Sequence, residues 1–343
     1  MSLRKIHAGL IISGCLLLNS CSNSTDPSTP KTNLKEAAKA KMDDANSKKT
    51  EELKNEYPKI PDERILDNGP GTALYSELKK RYKDEAAALK QGVEATGAKL
   101  YFVILTVESG KGMLNANKYG LPAVKSILEQ TGIEYTDLMP IVAAQNQKEI
   151  TQIPKDGHWS KKGAIFLADH LAPIIKKYYN TTSTVTYKDS ERPETFGDLP
   201  PDDDEIMDGS KDMPYHVHAN SQGVRMDHNV LFPKKKKRIV LMGDSAFFSP
   251  FLNDEYTMAA VLQKMFPDAD IMNTAIIGYT IDDYLTLWNE KVKYAEPDIV
   301  IVQTNGADIT DLYFSQRNVV SRAHKPYYPS KNEEKFYKDT YGR

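Results

Sequence analysis

Residues 238–245 read RIVLMGDS, an apolar run that ends in a polar turn, and the predicted fold depends on this junction. The run at residues 239–242 is short and continuously apolar, which favours a strand buried on both faces. The Gly-Asp-Ser turn then leads into a second apolar segment. Asp and Ser are preferred helix caps, whereas a serine at a helix amino terminus can also be a nucleophile whose neighbouring amides stabilise an oxyanion. For the turn alone, the cap is favoured.

Apolar runs of strand length alternate with segments of helical spacing on both sides of this junction. Helices are predicted at residues 74–96, 121–131, 162–179, 256–265 and 281–292, and strands at residues 99–106, 132–138, 238–242, 270–273 and 298–303. This alternation predicts an α/β fold with a mostly parallel sheet. Ligands of such sheets bind outside the carboxyl ends of the strands. The loops to examine therefore follow Leu105, Leu138, Met242 and Val302.

The composition limits the classes of partner. The chain has 343 residues, 40% of them hydrophobic, with a formal net charge of -2. Such a chain can bury a large core. The near-zero charge gives no electrostatic basis for binding nucleic acid, and the basic run at residues 234–238 is short and abuts an apolar strand. We therefore expect no nucleic-acid partner.

The amino terminus has the pattern of a secretory signal. Arg4 and Lys5 precede AGLIISGCLLLNSC at residues 8–21, which is short for a membrane-spanning helix. The pattern resembles a bacterial lipoprotein signal, in which the cysteine after the lipobox is lipidated. Cys21 is the predicted site because it leaves the longer apolar run; Cys15 is the alternative, as is a plain signal peptide or an uncleaved anchor. We expect a lipid-anchored protein at the periplasmic or surface face of a bacterial membrane.

Changes in composition divide the chain. Residues 1–21 are the predicted lipoprotein signal, residues 22–61 a polar, flexible tether, and residues 62–343 a single domain. A stretch at residues 181–213, rich in Thr, Pro and acidic residues, is expected to be an exposed insertion or linker. It separates a half at residues 62–180 from a half at residues 214–343.

Four motifs in the second half resemble the SGNH (GDSL) hydrolase superfamily. They are the lead-in ANSQGVR (residues 219–225), RIVLMGDS as block I, NTAIIGYTIDDY (273–284) as block II, and PDIVIVQTNGADITDL (297–312) as block III. The resemblance implies that Ser245 is the nucleophile. It also implies that the amides of Ser245 and Gly278 contribute to the oxyanion hole.

Block III departs from the family pattern. Ala307 stands where the family's usual Asn belongs, and Asp308 keeps the next position. Asn305 is the candidate replacement donor to the oxyanion, or it caps a turn. Because losing one such donor typically costs ~10²–10³ in turnover, a catalytically decayed lipoprotein with a binding role is one alternative function.

The general base is expected upstream of the serine. A serine needs an imidazole within hydrogen-bond reach, and His324, the sole histidine after block III, lacks the family's Asp. DGHWSKKGA at residues 156–164 resembles the Asp-x-His-Trp block of SGNH-like polysaccharide O-acetyltransferases, including those of alginate biosynthesis, where it precedes the serine. This resemblance implies a circularly permuted, flavodoxin-like, three-layer SGNH domain. Its triad would be Ser245, His158 and Asp156.

From the residues alone, Asp156 and His158 could instead be metal ligands, with His216 and His218 as a second pair at strand spacing. A zinc site needs three or four convergent ligands, and the sequence shows neither an HExxH motif nor a cysteine pair to accompany them. We therefore expect no metal and no cofactor.

The resemblances imply an envelope-anchored serine esterase that hydrolyses an acyl ester through an acyl-enzyme. The alternative is an O-acetyltransferase of a surface or cell-wall polysaccharide that uses the same triad, and the permuted order favours it. The substrate would be an acyl ester or an acetylated glycan. A transferase would also require a sugar-binding groove beside Ser245 and a membrane partner that donates the acyl group.

Overall fold

The computed structural model describes residues 73–107, 111–207 and 213–312. The predicted signal, the tether, Cys15, Cys21 and His324 lie outside these residues. Within them, no helix is at once long enough and apolar enough to cross a membrane.

Five parallel strands form the central sheet. They are β1 (Lys99–Ile104), β2 (Tyr135–Asp137), β5 (Lys237–Met242), β6 (Ala269–Asn273) and β7 (Ile299–Thr304). A separate antiparallel pair consists of β3 (Asp204–Met207) and β4 (Tyr215–His218). The order of the central sheet is β2-β1-β7-β5-β6. The predicted α/β fold with a mostly parallel sheet is confirmed.

The sheet order is that of flavodoxin once the chain is followed from β5. Taking β5, β6, β7, β1 and β2 as successive strands gives the order 2-1-3-4-5. The half of the chain that supplies the last two strands comes first in the sequence, as the predicted circular permutation requires. The order reverses between β5 and β7, and this switch point is where doubly wound sheets bind their ligands.

Helices cover both faces of the sheet. They are α1 (Ala73–Glu94), α2 (Lys111–Thr131), α3 (Met139–Ala143), α4 (Gln147–Ile150), α5 (Lys161–Tyr178), α6 (Ser245–Phe248), α7 (Met258–Met265), α8 (Ile281–Glu290) and α9 (Asp308–Asp311). Successive side chains of a strand point to opposite faces. In β1, Tyr101 and Val103 therefore join one core layer with α5 and α7, while Leu100 and Phe102 join the other with α1, α2 and α8.

The boundaries of α2 and β2 differ most from the predictions, and the other predicted elements differ by one or two residues at one or both ends. Helix α2 begins at Lys111, ten residues before the predicted start at residue 121, because a polar and glycine-containing first half hides its helical period. Strand β2 is only three residues long and half-buried, because it lies at the edge of the sheet and has a neighbouring strand on one side only. Helix α7 begins at Met258, where the Thr257 side chain caps it by accepting the amide of Ala260.

Residues 181–207 are less exposed than expected. Phe196 and Leu199 are buried, and the amide of Leu199 donates to the carbonyl of Gly223 in the ANSQGVR segment. Gly223 has a φ of +70°, and a Cβ at Gly197 would lie 2.1 Å from its carbonyl oxygen. Residues 181–207 therefore pack on the ANSQGVR lead-in to β5 through these two buried side chains and this backbone hydrogen bond.

Candidate active site

Ser245 is the first residue of α6, directly after β5, and is buried. The cap of this helix is Asp244, whose backbone is extended and whose carboxylate accepts the amide of Ala246 at 2.7 Å. The sequence left open whether the Gly-Asp-Ser turn only caps the helix or carries a nucleophile. In the structure Asp244 is the cap, so Ser245 is not needed for capping. The serine hydroxyl stands at the amino terminus of the helix, at the sheet's switch point.

A glutamine from β7 supports the turn before the serine. The side chain of Gln303 accepts the amide of Asp244 at 2.9 Å and donates to the carbonyl of Leu105 at 2.8 Å. A Cβ at Gly243 would lie 2.7 Å from Gln303 Oε1, so a larger residue there would have to displace the Gln303 side chain. This one side chain of β7 therefore joins the loops that follow β5 and β1. Sequence reasoning missed it because Gln303 lies inside an apolar strand.

The Asp-Gly-His-Trp loop lies between α4 and α5. The amide of Gln152 donates to the carbonyl of His158, and the amide of Ser160 donates to that of Ile150, both at 2.9 Å. A Cβ at Gly163 would lie 1.9 Å from the Ile150 carbonyl oxygen, so α5 begins in close contact with this turn. The loop is thus fixed at its base by backbone hydrogen bonds and close packing.

Within this loop, the predicted acid Asp156 contacts the predicted base His158 directly. Asp156 Oδ1 accepts the backbone amide of His158 at 2.8 Å and is also hydrogen-bonded to the Nδ1 atom of the imidazole. Both side chains are largely buried. A carboxylate at Nδ1 orients the ring and stabilises its charged form, which is the role of the acid in a serine triad.

The other imidazole nitrogen of His158 has no such partner. Its Nε2 atom is buried and has no hydrogen-bond partner among the described residues, so no hydrogen bond joins it to Ser245 there. The ring packs edge-on against Phe251, with centroids 5.9 Å apart. Buried polar atoms are normally paired, so an unpaired one calls for a functional explanation. Catalytic hydrogen bonds are often long without substrate and shorten when it binds.

Trp159 joins the two motifs. Its indole Nε1 donates to the carbonyl of Ala246 at 3.0 Å, and both residues are buried. The side chain of Gln152 also reaches the carbonyl of Pro250, at 3.4 Å. The residue after His158 is thus bonded to the residue after Ser245. These bonds hold the Asp-Gly-His-Trp loop against α6 and the turn that follows it.

The two other candidate oxyanion donors flank the same turn. Gly278 has a φ of +80°, which favours glycine, and its loop is bound to block I by the Ile276 amide, which donates to the Gly243 carbonyl at 3.0 Å. Asn305 is buried; its Nδ2 donates to Asp244 Oδ2 at 3.0 Å, and its Oδ1 accepts the amide of Ala307 at 2.7 Å. Asn305 therefore makes a turn contact and also reaches Asp244, the residue before Ser245.

A buried acid lies beside this network. The hydroxyl of Thr304 is hydrogen-bonded to Asp308 Oδ2 at 2.7 Å and is 2.6 Å from the hydroxyl of Tyr82. Burial, and next the charge of Asp244, raise the pKa of Asp308 well above its ordinary value. These two effects favour the neutral form of Asp308.

The histidines weighed as second metal ligands lie on β4. His216 contacts Asp204 at 2.7 Å and Asp254 at 2.9 Å, and His218 lies 3.4 Å from Asp204. Within residues 73–107, 111–207 and 213–312, no group of three or more His, Cys, Asp or Glu side chains is arranged to hold a metal ion.

The fold and these motifs define an SGNH-type enzyme of ester and acyl-group chemistry. The family model of the SGNH hydrolase-like domain of the acetyltransferase AlgX matches residues 108–305, more than half of the chain. The chain therefore belongs to this family. The matched region contains every predicted triad and oxyanion-hole residue, namely Asp156, His158, Ser245, Gly278 and Asn305.

Solved structures similar to the chain have low sequence identity. The O-acetyltransferase domain of Pseudomonas putida AlgJ is 15% identical, with a TM-score of 0.41; the alignment covers 71% of this chain and 87% of that domain. Pseudomonas aeruginosa AlgX is 17% identical, with a TM-score of 0.38 and coverages of 75% and 63%. Bacillus cereus PatB1 with a sulfonyl adduct is 9% identical, with a TM-score of 0.37 and coverages of 71% and 91%. The sequence matches no curated protein.

Proposed function

We propose that the protein is an O-acetyltransferase that moves an acetyl group to a hydroxyl of an envelope polysaccharide through an acyl-enzyme. The observation that carries this proposal is the match to the acetyltransferase family over residues 108–305, with the acid–base block before the serine. Hydrolysis was the leading expectation from sequence, and the family match favours the transferase alternative instead. Both reactions share the acyl-enzyme and differ in the acceptor.

In the first half-reaction, Ser245 Oγ attacks the acetyl carbonyl of the donor, and its proton passes to His158 Nε2. The imidazolium then returns the proton to the leaving group as the carbon–oxygen bond breaks. The buried, unpaired Nε2 atom of His158 supports this role, because the other ring nitrogen, Nδ1, is already hydrogen-bonded to Asp156. The amides of Ser245 and Gly278, with the side chain of Asn305, are the proposed donors to the oxyanion.

In the second half-reaction, a sugar hydroxyl attacks the acetyl carbonyl on Ser245. His158 removes the hydroxyl proton, and the imidazolium then returns it to Ser245 Oγ as the bond between this oxygen and the acetyl carbon breaks, which releases the acetylated sugar and the free serine.

The amino-terminal pattern adds a proposal about location. We propose that Cys21 is lipidated and holds the enzyme at the envelope membrane, where a membrane partner supplies the acetyl group. Cys21→Ser should move the full-length protein from the membrane fraction to the soluble fraction. Cys15→Ser, which changes the other cysteine in the same segment, should leave it membrane-bound. The reverse pattern would assign lipidation to Cys15, and no change in either variant would contradict a lipid anchor.

The reaction is tested with the full chain, 4-nitrophenyl acetate as donor, and a de-acetylated oligosaccharide as acceptor. A transferase should release nitrophenolate faster with the acceptor present and should add acetyl groups to the sugar, as measured by mass spectrometry. Ser245→Ala should abolish both signals, whereas Ser126→Ala on the outer part of α2 should change neither. Acetate release that ignores the acceptor would establish a hydrolase. Absence of both turnover and fluorophosphonate labelling would overturn every enzymatic interpretation.

A further inference from the structure

Arg225 is a buried arginine whose five N–H donors are all directed at acceptors. Its side chain is 2% exposed. Nε donates to Asp254 at 2.7 Å, and the two terminal nitrogens donate to the carbonyls of Phe248 (2.6 Å), Ser249 (3.3 Å), Leu252 (2.7 Å) and His216 (3.1 Å). Three of these carbonyls belong to the end of α6 and the turn after it. The guanidinium therefore binds the segment that begins with the serine.

The turn that Arg225 binds has an unfavourable backbone. Ser249 and Phe251 both lie in the left-handed region, with φ values of +60° and +63°. Residues with a Cβ adopt this conformation at a cost in free energy, and it persists only where surrounding contacts enforce it. The bonds from Arg225 to the carbonyls of Phe248, Ser249 and Leu252 are such contacts, because they fix both ends of the turn.

The turn places an aromatic ring against the proposed base. The ring of Phe251 packs edge-on against His158, at 5.9 Å between centroids, and against Tyr215 at 5.5 Å on β4. Asp156 holds the imidazole only at Nδ1. Phe251 is thus a second contact that limits how the imidazole can rotate and shift beside α6.

We propose that Arg225 is a positioning residue that sets the place of the His158 imidazole by fixing the left-handed turn that carries Phe251. The claim that this placement of the imidazole affects turnover rests on the proposed function. The claim that Arg225 sets the placement does not, because it concerns only the folded structure. Nothing in the family motifs gave Arg225 this role: it is the last residue of the ANSQGVR lead-in, twenty residues before the serine.

The chain supplies a matched control in Arg238. This arginine is also fully buried, and it also donates to backbone carbonyls, those of Ala295 and Leu231. It lies near the amino end of β5, whereas Ser245 follows the carboxyl end. Loss of either guanidinium should destabilise the protein, so an effect on the active site that appears only for Arg225 separates positioning from general stability.

The first measurement is the nuclear magnetic resonance spectrum of the full chain with labelled histidine. The imidazole signals of His158 are identified by their absence in His158→Gln. Arg225→Lys should shift these signals, because an ammonium cannot replace the five-donor fork, whereas Arg238→Lys should leave them in place. This measurement needs no catalytic activity. Unchanged His158 signals in folded Arg225→Lys protein would overturn the proposal.

The second measurement is the rate at which a fluorophosphonate labels Ser245. Arg225→Lys should slow labelling about 10- to 100-fold, since displacements of about 1 Å in an active site have effects of this size, and Arg238→Lys should not. Phe251→Leu should slow it similarly, and the double variant Arg225→Lys/Phe251→Leu should be no slower than the worse single variant, because both changes act on one contact. Multiplied effects in the double variant would contradict action through Phe251. An unlabelled wild-type chain would refute the proposed function, while the His158 spectrum would still test the positioning.

Discussion

The indole nitrogen of Trp159 donates a hydrogen bond to the carbonyl of Ala246 at 3.0 Å, and this bond joins the two halves of the permuted domain at the site. Trp159 is wholly buried. Its neighbour His158 is the proposed base, and the neighbour of Ala246 is the proposed nucleophile. The bond therefore holds the Asp-Gly-His-Trp loop against α6.

Replacing Trp159 with Phe should slow fluorophosphonate labelling of Ser245. The phenyl ring keeps part of the packing but leaves the Ala246 carbonyl without its donor, so the loop loses its direct bond to α6. We expect labelling to slow about 10- to 100-fold and the free energy of unfolding to fall by about 1–3 kcal/mol. Stopped-flow labelling and urea denaturation measure the two effects.

The other tryptophan of the chain gives the control. Trp288 on α8 is buried in the opposite core layer, next to Gly92 on α1. Trp288→Phe should lower the free energy of unfolding and leave the labelling rate of the folded protein unchanged. If both variants were labelled at the wild-type rate, the Trp159 bond would be structural only.

Local periodicity predicted the elements of the fold because each strand and helix carries its own pattern. The apolar runs of β5 and β7 and the helical spacing of α5 are visible in any short window of sequence. Helix α2 was predicted ten residues short because its first half, which contains Gly120, has no apolar stripe. The packing of residues 181–207 was also missed, since it rests on two isolated apolar side chains, Phe196 and Leu199.

The site was only partly predictable for a different reason. The strand ends placed the loops of Ser245 and Asn305 at one edge of the sheet, and the family motifs suggested Asp156 and His158 as the acid and base, an assignment that stays a prediction. The contacts that assemble these loops come from Gln303, Trp159 and Arg225, whose partners lie far away in the sequence. No local pattern encodes such long-range hydrogen bonds, so only the folded structure reveals them.

Asp156→Asn should lower the rate of acetyl transfer by about 10²–10⁴, because an amide cannot stabilise the imidazolium and disfavours the required tautomer. Folding should be little affected, since the amide oxygen can still accept the backbone amide of His158. Initial rates with 4-nitrophenyl acetate measure the loss. Asp227→Asn is the matched control, because Asp227 contacts Nδ1 of His228 on the surface. Wild-type rates in Asp156→Asn would remove Asp156 from the triad.

Asn305→Ala should lower turnover by about 10²–10³ if the side chain donates to the oxyanion. The variant also loses the bonds to Asp244 and to the amide of Ala307, so stability must be measured beside the rate. Asn146→Ala removes a comparable turn contact, the cap of α4, at an exposed position on another loop. This control should lower stability by about 1 kcal/mol without changing turnover. Equal turnover in both variants would assign Asn305 to the turn alone.

Glu85→Gln should make the protein more stable above neutral pH. Burial raises the pKa of Glu85 to about 7, and the charge of Asp282 adds to this against the opposing hydrogen bond from Arg81. Because the pKa in the folded state is raised above the ordinary value, the folded chain binds a proton that the unfolded chain has lost between about pH 4.5 and pH 7. The free energy of unfolding therefore falls as pH rises through this window and stays lower above it.

A glutamine cannot ionise and still accepts the Arg81 bond, so the variant should lose this pH dependence. At pH 8 its free energy of unfolding should exceed that of the wild type by about 1–3 kcal/mol, and the difference should nearly vanish at pH 4.5. Urea denaturation at the two pH values measures this. Glu77→Gln, an exposed change on the same helix, should follow the wild type at both values. A Glu85→Gln variant that tracked the wild type across the window would show that Glu85 ionises in the folded protein as easily as in the unfolded chain.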